Sequence, residues 1–233
     1  MILLPTCIIF AKEFMKIDCV NFAVVNKYRR MKKVYILTLL AALSMTSFAQ
    51  SNTWEQAPKK HVDNNAEMKK YLAGAVPIVH GTVTFSDTII AKGKSRNEIY
   101  NIALNYITEI TQDEGKLENS IISYNDEDSG IVVGAIKEWL VFRSSGLVLD
   151  RTKLLFNLIC EAYDGKLVVT MKRIHYIYGE GRDAEHYTAD KWITDKYALN
   201  KTGTKLLPIS KKFRCKTIDR YINIDTTLKN RLK

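Results

Sequence analysis

The sequence predicts an α+β domain: a curved antiparallel β-sheet gripping helices, in the order β-α-β-β-β-β-α. Three observations carry that expectation. Between residues 95 and 112, apolar side chains recur at spacings of three and four. From residue 131 to 178, long runs of branched and aromatic residues are parted only by short turn sequences. The stretch 216–232 returns to helical spacing. Strands separated by so few residues cannot be joined by helical crossovers, so they form a meander. Strands this long twist, and a twisted sheet bends round a helix that covers one face.

The elements follow in order. Ser51 to Lys70 is polar, and residues 50–79 read as a tether leading into a single domain over 80–233. Gly81 to Ile90 alternates Val83, Phe85 and Ile89 with Thr82, Thr84 and Thr88, the period of a half-buried strand. Lys92-Gly93-Lys94 turns the chain. Ser95-Arg96-Asn97-Glu98 is a capping box, in which the serine hydroxyl accepts a helix N–H and the glutamate reaches back. Ile99, Ile102, Ala103, Tyr106, Ile107 and Ile110 then line one helix face as far as Gln112, and Gly115 ends the helix. Strands are expected at Asn119–Tyr124, Ile131–Arg143, Arg151–Tyr163 and Lys166–Tyr178. Ser144-Ser145-Gly146 opens one connection, and Asp164-Gly165 is a strong hairpin signal in another. Thr188–Leu199 carries a short helix with Trp192 and Ile193, and 200–210 reads as irregular. The last helix is expected over Lys216–Leu232, with Ile218, Tyr221, Ile222, Leu228 and Leu232 on one face.

Residues 31–49 have the layout of a signal peptide. Lys32 and Lys33 are positive, Val34 to Leu43 is an apolar run, and Ser47 and Ala49 put small residues at positions −3 and −1. The expected cut follows Ala49, giving an exported chain in the periplasm, at the outer membrane or secreted. Thr38, Ser44, Thr46 and Ser47 dilute a run already shorter than the roughly 20 apolar residues of a membrane span. No stable span is expected after cleavage. Residues 1–30 either precede a true start at Met31 or extend the positive region with Lys27, Arg29 and Arg30.

The whole chain carries 35 Lys+Arg against 25 Asp+Glu, a net +10. Residues 1–49 hold seven of the positive and two of the negative side chains, so the remainder has a net +5. That balance suits a soluble exported protein and gives little ground for a nucleic-acid partner, which is not expected. Cleavage removes two of the four cysteines and leaves Cys160 and Cys215. The compartment would permit a disulfide. Buried thiols acting as small apolar groups are the favoured reading, with a Cys160–Cys215 bridge the alternative.

Four stretches resemble a known family: Lys70-Tyr71-Leu72-Ala73-Gly74-Ala75-Val76-Pro77, the Gly81–Phe85 strand, Lys94-Ser95, and Ala189-Asp190-Lys191-Trp192-Ile193-Thr194. They are similar to the domain-of-unknown-function family 4468, and the resemblance spans about Lys70 to Leu232. It implies a fold like that of the TATA-binding protein (TBP-like) and a place among exported proteins of Bacteroidetes-type bacteria. It supplies no activity and no catalytic residue. A fold shared with a DNA-binding protein does not import DNA binding.

The standard catalytic patterns are missing from the sequence. His61, His80, His175 and His186 stand apart, with no HxxxH or CxxC, so no metal site and no cofactor are expected. No GxSxG elbow or phosphate loop occurs. Asp126-Glu127-Asp128-Ser129-Gly130 lacks the later glutamate of a calcium loop and reads as a solvated turn. Asp87 with Glu109, or Glu138 with Glu161, are the carboxylate pairs available for acid–base work, and surface ion pairs explain them more simply. No catalytic residue is assigned, and the reading leans away from an enzyme.

Two candidate binding sites remain. In the first, Ile99, Ile102, Tyr106 and Ile110 of the helix face Trp139, Phe156 and Leu158 of the sheet and wall an apolar pocket. In the second, Arg173, His175, Tyr176 and Tyr178 form a polar and aromatic cluster with Lys172, Arg182, His186 and Tyr187 nearby. Strand alternation spreads that cluster over both faces, which favours a merely basic outer surface. The leading function is an exported, non-catalytic binding module for a small apolar or envelope-derived molecule. The alternative is a structural or protein-interaction protein of the cell envelope, and a hydrolytic enzyme ranks last.

Overall fold

The computed structural model describes residues 65–112, 117, 120–145, 148–179 and 181–233. The expected leader, the cut after Ala49, Gly115 and Gly146 lie outside them. The described chain opens with α1 (Asn65–Met68) and a tight helical turn over Lys69–Tyr71. Then come β1 (Ile78–Val79), β2 (Thr82–Ile90), α2 (Arg96–Gln112), β3 (Ile121–Asp126), β4 (Ile131–Ser145), β5 (Val148–Tyr163) and β6 (Lys166–Tyr178). A short β7 (Glu185–Thr188), α3 (Ala189–Trp192), α4 (Asp195–Ala198) and α5 (Pro208–Arg231) complete it.

All strand pairs are antiparallel, in the order β1-β2-β6-β5-β4-β3. β2 pairs with the first half of β6, from Lys166 to Lys172, and β7 with the second half, from His175 to Tyr178. The architecture is the expected α+β one, a meander closed by the first long strand. β1 and β7 are additions, too short for a periodic signal to announce them.

α2 begins where the capping box places it. The Ser95 amide donates to Glu98 Oε2 at 2.8 Å, and the Glu98 amide donates to Ser95 Oγ at 3.3 Å. The Arg96 amide donates to Asp164 Oδ1 at 2.8 Å, so the hairpin aspartate also caps this helix. Ile99, Ala103 and Ile107 are fully buried against Val132, Ile136, Phe156 and Leu158, the inward positions of β4 and β5. At Gly134 an added Cβ would lie 2.9 Å from the Ile107 methyl, which marks how closely helix and sheet approach.

α5 starts eight residues earlier than expected. Pro208 takes the first helical turn, where its fixed φ and missing N–H cost nothing. The stripe was hard to read there because its inward positions include Arg214, Thr217 and Arg220, all buried. The Thr188–Leu199 helix is two short ones, α3 and α4, parted by Ile193 and Thr194.

Residues 69–79, read as the end of the tether, belong to the domain. Tyr71 and Val76 are buried. The Arg214 guanidinium donates to the carbonyls of Tyr71, Leu72 and Ile193 at 2.7, 2.7 and 2.6 Å, and to Asp195 Oδ1 at 2.7 Å. The Gly74 amide donates to Asp195 Oδ2, and the Tyr71 hydroxyl donates to Asp219. Asp190 accepts the Val83 amide. One buried arginine thus joins the segment after α1, the α3–α4 junction and α5.

Cys160 and Cys215 are both buried and unpaired, as the favoured reading had them. Burial pushes each thiol up to about 12, so neither is a thiolate near neutrality. No described helix is long and apolar enough to cross a membrane.

Candidate functional site

α2 and α5 lie on the same side of the sheet. α2 packs on the inward positions of β4 and β5, and α5 meets β4 through Arg220–Glu138 and β6 through Tyr176–Thr217. Inward positions of β4 and β5 are buried while the intervening outward ones are only half-buried. The sheet therefore has a packed face and, among the described elements, an open one.

The expected helix–sheet site falls on the packed face. Ile99, Tyr106, Ile110, Phe156 and Leu158 are 0–4% exposed, and Ile102 packs against them. They are core. Trp139 is not with them: it stands on the open face, opposite Lys153, with the Arg151 guanidinium 3.6 Å from its ring centre. Bulk argued for Trp139 inside, but period-two geometry turns Glu138 inward. That buried carboxylate is matched by Arg220, at 2.7 and 2.9 Å.

The carboxylate pairs do not assemble. Glu138 and Glu161 point to opposite faces of the sheet, as their alternate burial shows. Lys229 binds Asp87, and Arg231 binds Glu109, and each cation holds its carboxyl below the usual range. Among the described residues, no three His, Cys, Asp or Glu side chains come together as a metal site would need.

The polar cluster divides in an unexpected way. Tyr176 is fully buried and its hydroxyl hydrogen-bonds Thr217 at 2.7 Å. The Tyr178 hydroxyl donates to Asp150, and Lys212 bridges both. Arg173 and His175 are exposed. A β-bulge causes this division. Lys172 faces Asn157 and His175 faces Leu155, so Phe156 alone opposes both Arg173 and Ile174. Arg173 absorbs the extra residue at φ +56°, a left-handed conformation unfavourable for a side-chain-bearing residue. Inward positions before the bulge are Leu167, Val169 and Met171; after it they are Ile174 and Tyr176. Lys172 and His175 consequently share the open face although they are an odd number of positions apart, with only Arg173 and Ile174 between them. The apolar positions change parity across Lys172-Arg173, and that change was the legible signal.

Beside the bulge the open face sinks into a depression of about 370 Å³, lined by Ala135, Ile136, Lys137, Leu155, Phe156, Asn157, Arg173 and His175. Of these, Phe156, Arg173 and His175 were expected at a site, Phe156 at the helix–sheet one. The small Ala135 and the polar Asn157 make the hollow where larger outward residues would fill it. His175 Nδ1 lies 2.8 Å from the Arg173 carbonyl, which can only accept, so Nδ1 carries the proton. Nε2 is left for another partner.

An antiparallel sheet with both long helices on one face, and a basic hollow on the other, defines a class of open-faced α+β domain with no catalytic constellation among its described residues. Residues 85–177 match the model of the family described as "Domain of unknown function (DUF4468) with TBP-like fold". The crystal structure of a DUF4468 family protein from Bacteroides ovatus is 36% identical, covers 75% of this chain and 96% of its own, and superposes with a TM-score of 0.66. The chain belongs to the DUF4468 family. A TBP-like protein from Parabacteroides distasonis, 19% identical over 67% of this chain and 96% of its own, has a TM-score of 0.54 and shows the same fold. The search of curated proteins finds no match.

Proposed function

We propose that the protein is an exported, non-catalytic binding module whose ligand sits on the open face of the sheet, in the hollow beside the bulge. The observation that carries this reading is Arg173, held at φ +56° at the edge of a 370 Å³ depression. Backbone strain concentrates at functional positions because surrounding structure must maintain it at a cost. The hollow also falls within the volume range of small-ligand sites. Export rests on the signal-like segment 31–49. The site moves from the helix–sheet interface to the opposite face, because the residues expected to wall the former fill the core.

The test is the mass of the natively exported protein under native and denaturing spray, beside the Ala135→Trp variant, whose indole would fill the hollow. An adduct on the wild type, lost on denaturation and missing from Ala135→Trp, supports the reading. An adduct retained by the variant contradicts it.

A further inference from the structure

We infer that the ligand of the open face is an anionic amphiphile, its phosphate or carboxylate held among Lys137, Arg173 and His175 and its apolar part lying along Ala135 and Val133. This rests on the open-face reading above and names the ligand class it takes. The argument begins with an asymmetry of charge. The ion pairs Lys70–Asp219, Lys212–Asp150, Arg214–Asp195, Arg220–Glu138, Lys229 with Asp87 and Asp225, and Arg231–Glu109 lie on or beside the helix-covered side. None engages Lys137, Lys172 or Arg173. Lys137 and Arg173 line the hollow and Lys172 stands beside it, opposite Asn157, so positive charge gathers there without a paired carboxylate. An incoming anion would relieve the repulsion and gain charge-assisted hydrogen bonds. His175 adds Nε2, since its Nδ1 is committed to the Arg173 carbonyl.

The apolar part follows from the strand. Outward positions of β4 from Lys137 towards its start are Ala135 and then Val133, both apolar, over roughly 13 Å at the rise of a β-strand. Ile159 on β5 stands opposite Val133, while Ile131 lies between Glu161 of β5 and Asp126 of β3, so the apolar track ends at Val133. The first carboxylate met along β5 is Glu161, four residues from Asn157, roughly 13 Å away. Charge at one end and an apolar track leading from it match a molecule built the same way.

The test uses dodecyl phosphate below its micelle concentration, with dodecyl maltoside and inorganic phosphate as controls, read by calorimetry on wild type, Ala135→Trp and the double variant Lys137→Gln/Arg173→Gln. The expected result is saturable dodecyl phosphate binding, weakened at least about tenfold by the double variant and by Ala135→Trp, with both controls at least about tenfold weaker on wild type. Circular dichroism checks that both variants fold. Equal affinity for the maltoside, lost only in Ala135→Trp, overturns the anionic class and leaves the open-face reading standing. Dodecyl phosphate binding indifferent to all three substitutions overturns both, and no binding at all overturns the anionic class. Co-sedimentation with phosphatidylglycerol vesicles separates the two sources of such a head group. Pelleting that the double variant abolishes assigns a membrane lipid, and binding of the monomeric probe without pelleting assigns a free one.

Discussion

Arg220 and Glu138 form a two-pronged ion pair, 2.7 and 2.9 Å long, with side chains 2% and 0% exposed. It joins α5 to the inward side of β4 in the middle of the apolar core. Removing one partner of a buried pair strands the other's charge, at a cost of about 3–5 kcal/mol. Glu138→Ala is expected to lower stability by that amount in urea unfolding. Glu138→Leu with Arg220→Met is expected to recover most of it, because the replaced pair no longer needs desolvating.

The Arg214 guanidinium satisfies three backbone carbonyls and one carboxylate oxygen at once. A lysine at this position has one ammonium and cannot reach all four acceptors. Arg214→Lys is expected to cost at least about 2 kcal/mol, since buried carbonyls lose their donors. Hydrogen exchange checks the location: protection should fall first between Tyr71 and Val76, the segment that this arginine pins.

Arg173 and His80 are the two non-glycine residues at positive φ among those described. His80 and Gly81 make the two-residue turn between β1 and β2, with φ of +50° and +79°, the mirror-image geometry that asparagine prefers at the first position. His80→Asn is expected to raise stability by a few tenths of a kcal/mol, read from the unfolding midpoint. Arg173→Gly relieves the left-handed strain and is expected to stabilise by about 0.5–1 kcal/mol while weakening ligand binding. A stability gain with binding unchanged would separate the bulge from the site.

Acid should weaken the contacts of α5 with β2 and with α2 in a defined window. Lys229 lowers the pKa of Asp87, and Arg231 that of Glu109, from ordinary values of 3.8 and 4.5. The folded state then binds fewer protons than the unfolded one. The stability these groups add is present above those ordinary values and is lost as pH falls through the lower folded ones. The urea midpoint is expected to drop between about pH 5 and about pH 3. The drop should be shallower in Lys229→Ala/Arg231→Ala, which has no such partners to lose.

Much of the fold was legible because local chemistry and tertiary contact agree. The Ser95–Glu98 box sets the start of α2, and its apolar spacing sets its buried face. Asp164-Gly165 joins β5 to β6 at Tyr163 and Lys166, as the hairpin signal requires. Legibility failed where burial and hydrophobicity part company. Arg214 and Arg220 occupy core positions of α5 and blur its stripe, so its first two turns were read as loop. Glu138 occupies a core position of β4 while Trp139 faces outward, so bulk pointed to the wrong residue. The hollow went unread for a related reason: Ala135 and Asn157 stand out only by being small or polar at outward strand positions, which no motif announces. The bulge could have been read, since Met171 and Ile174 break the period of two.

The most direct measurement is a two-dimensional amide NMR titration of the protein with dodecyl phosphate. The open-face account predicts that the largest shifts fall on Ala135, Lys137, Asn157, Arg173 and His175. Shifts centred instead on Ile99, Tyr106 and Ile110 of α2 would contradict it and return the site to the interface between helix and sheet.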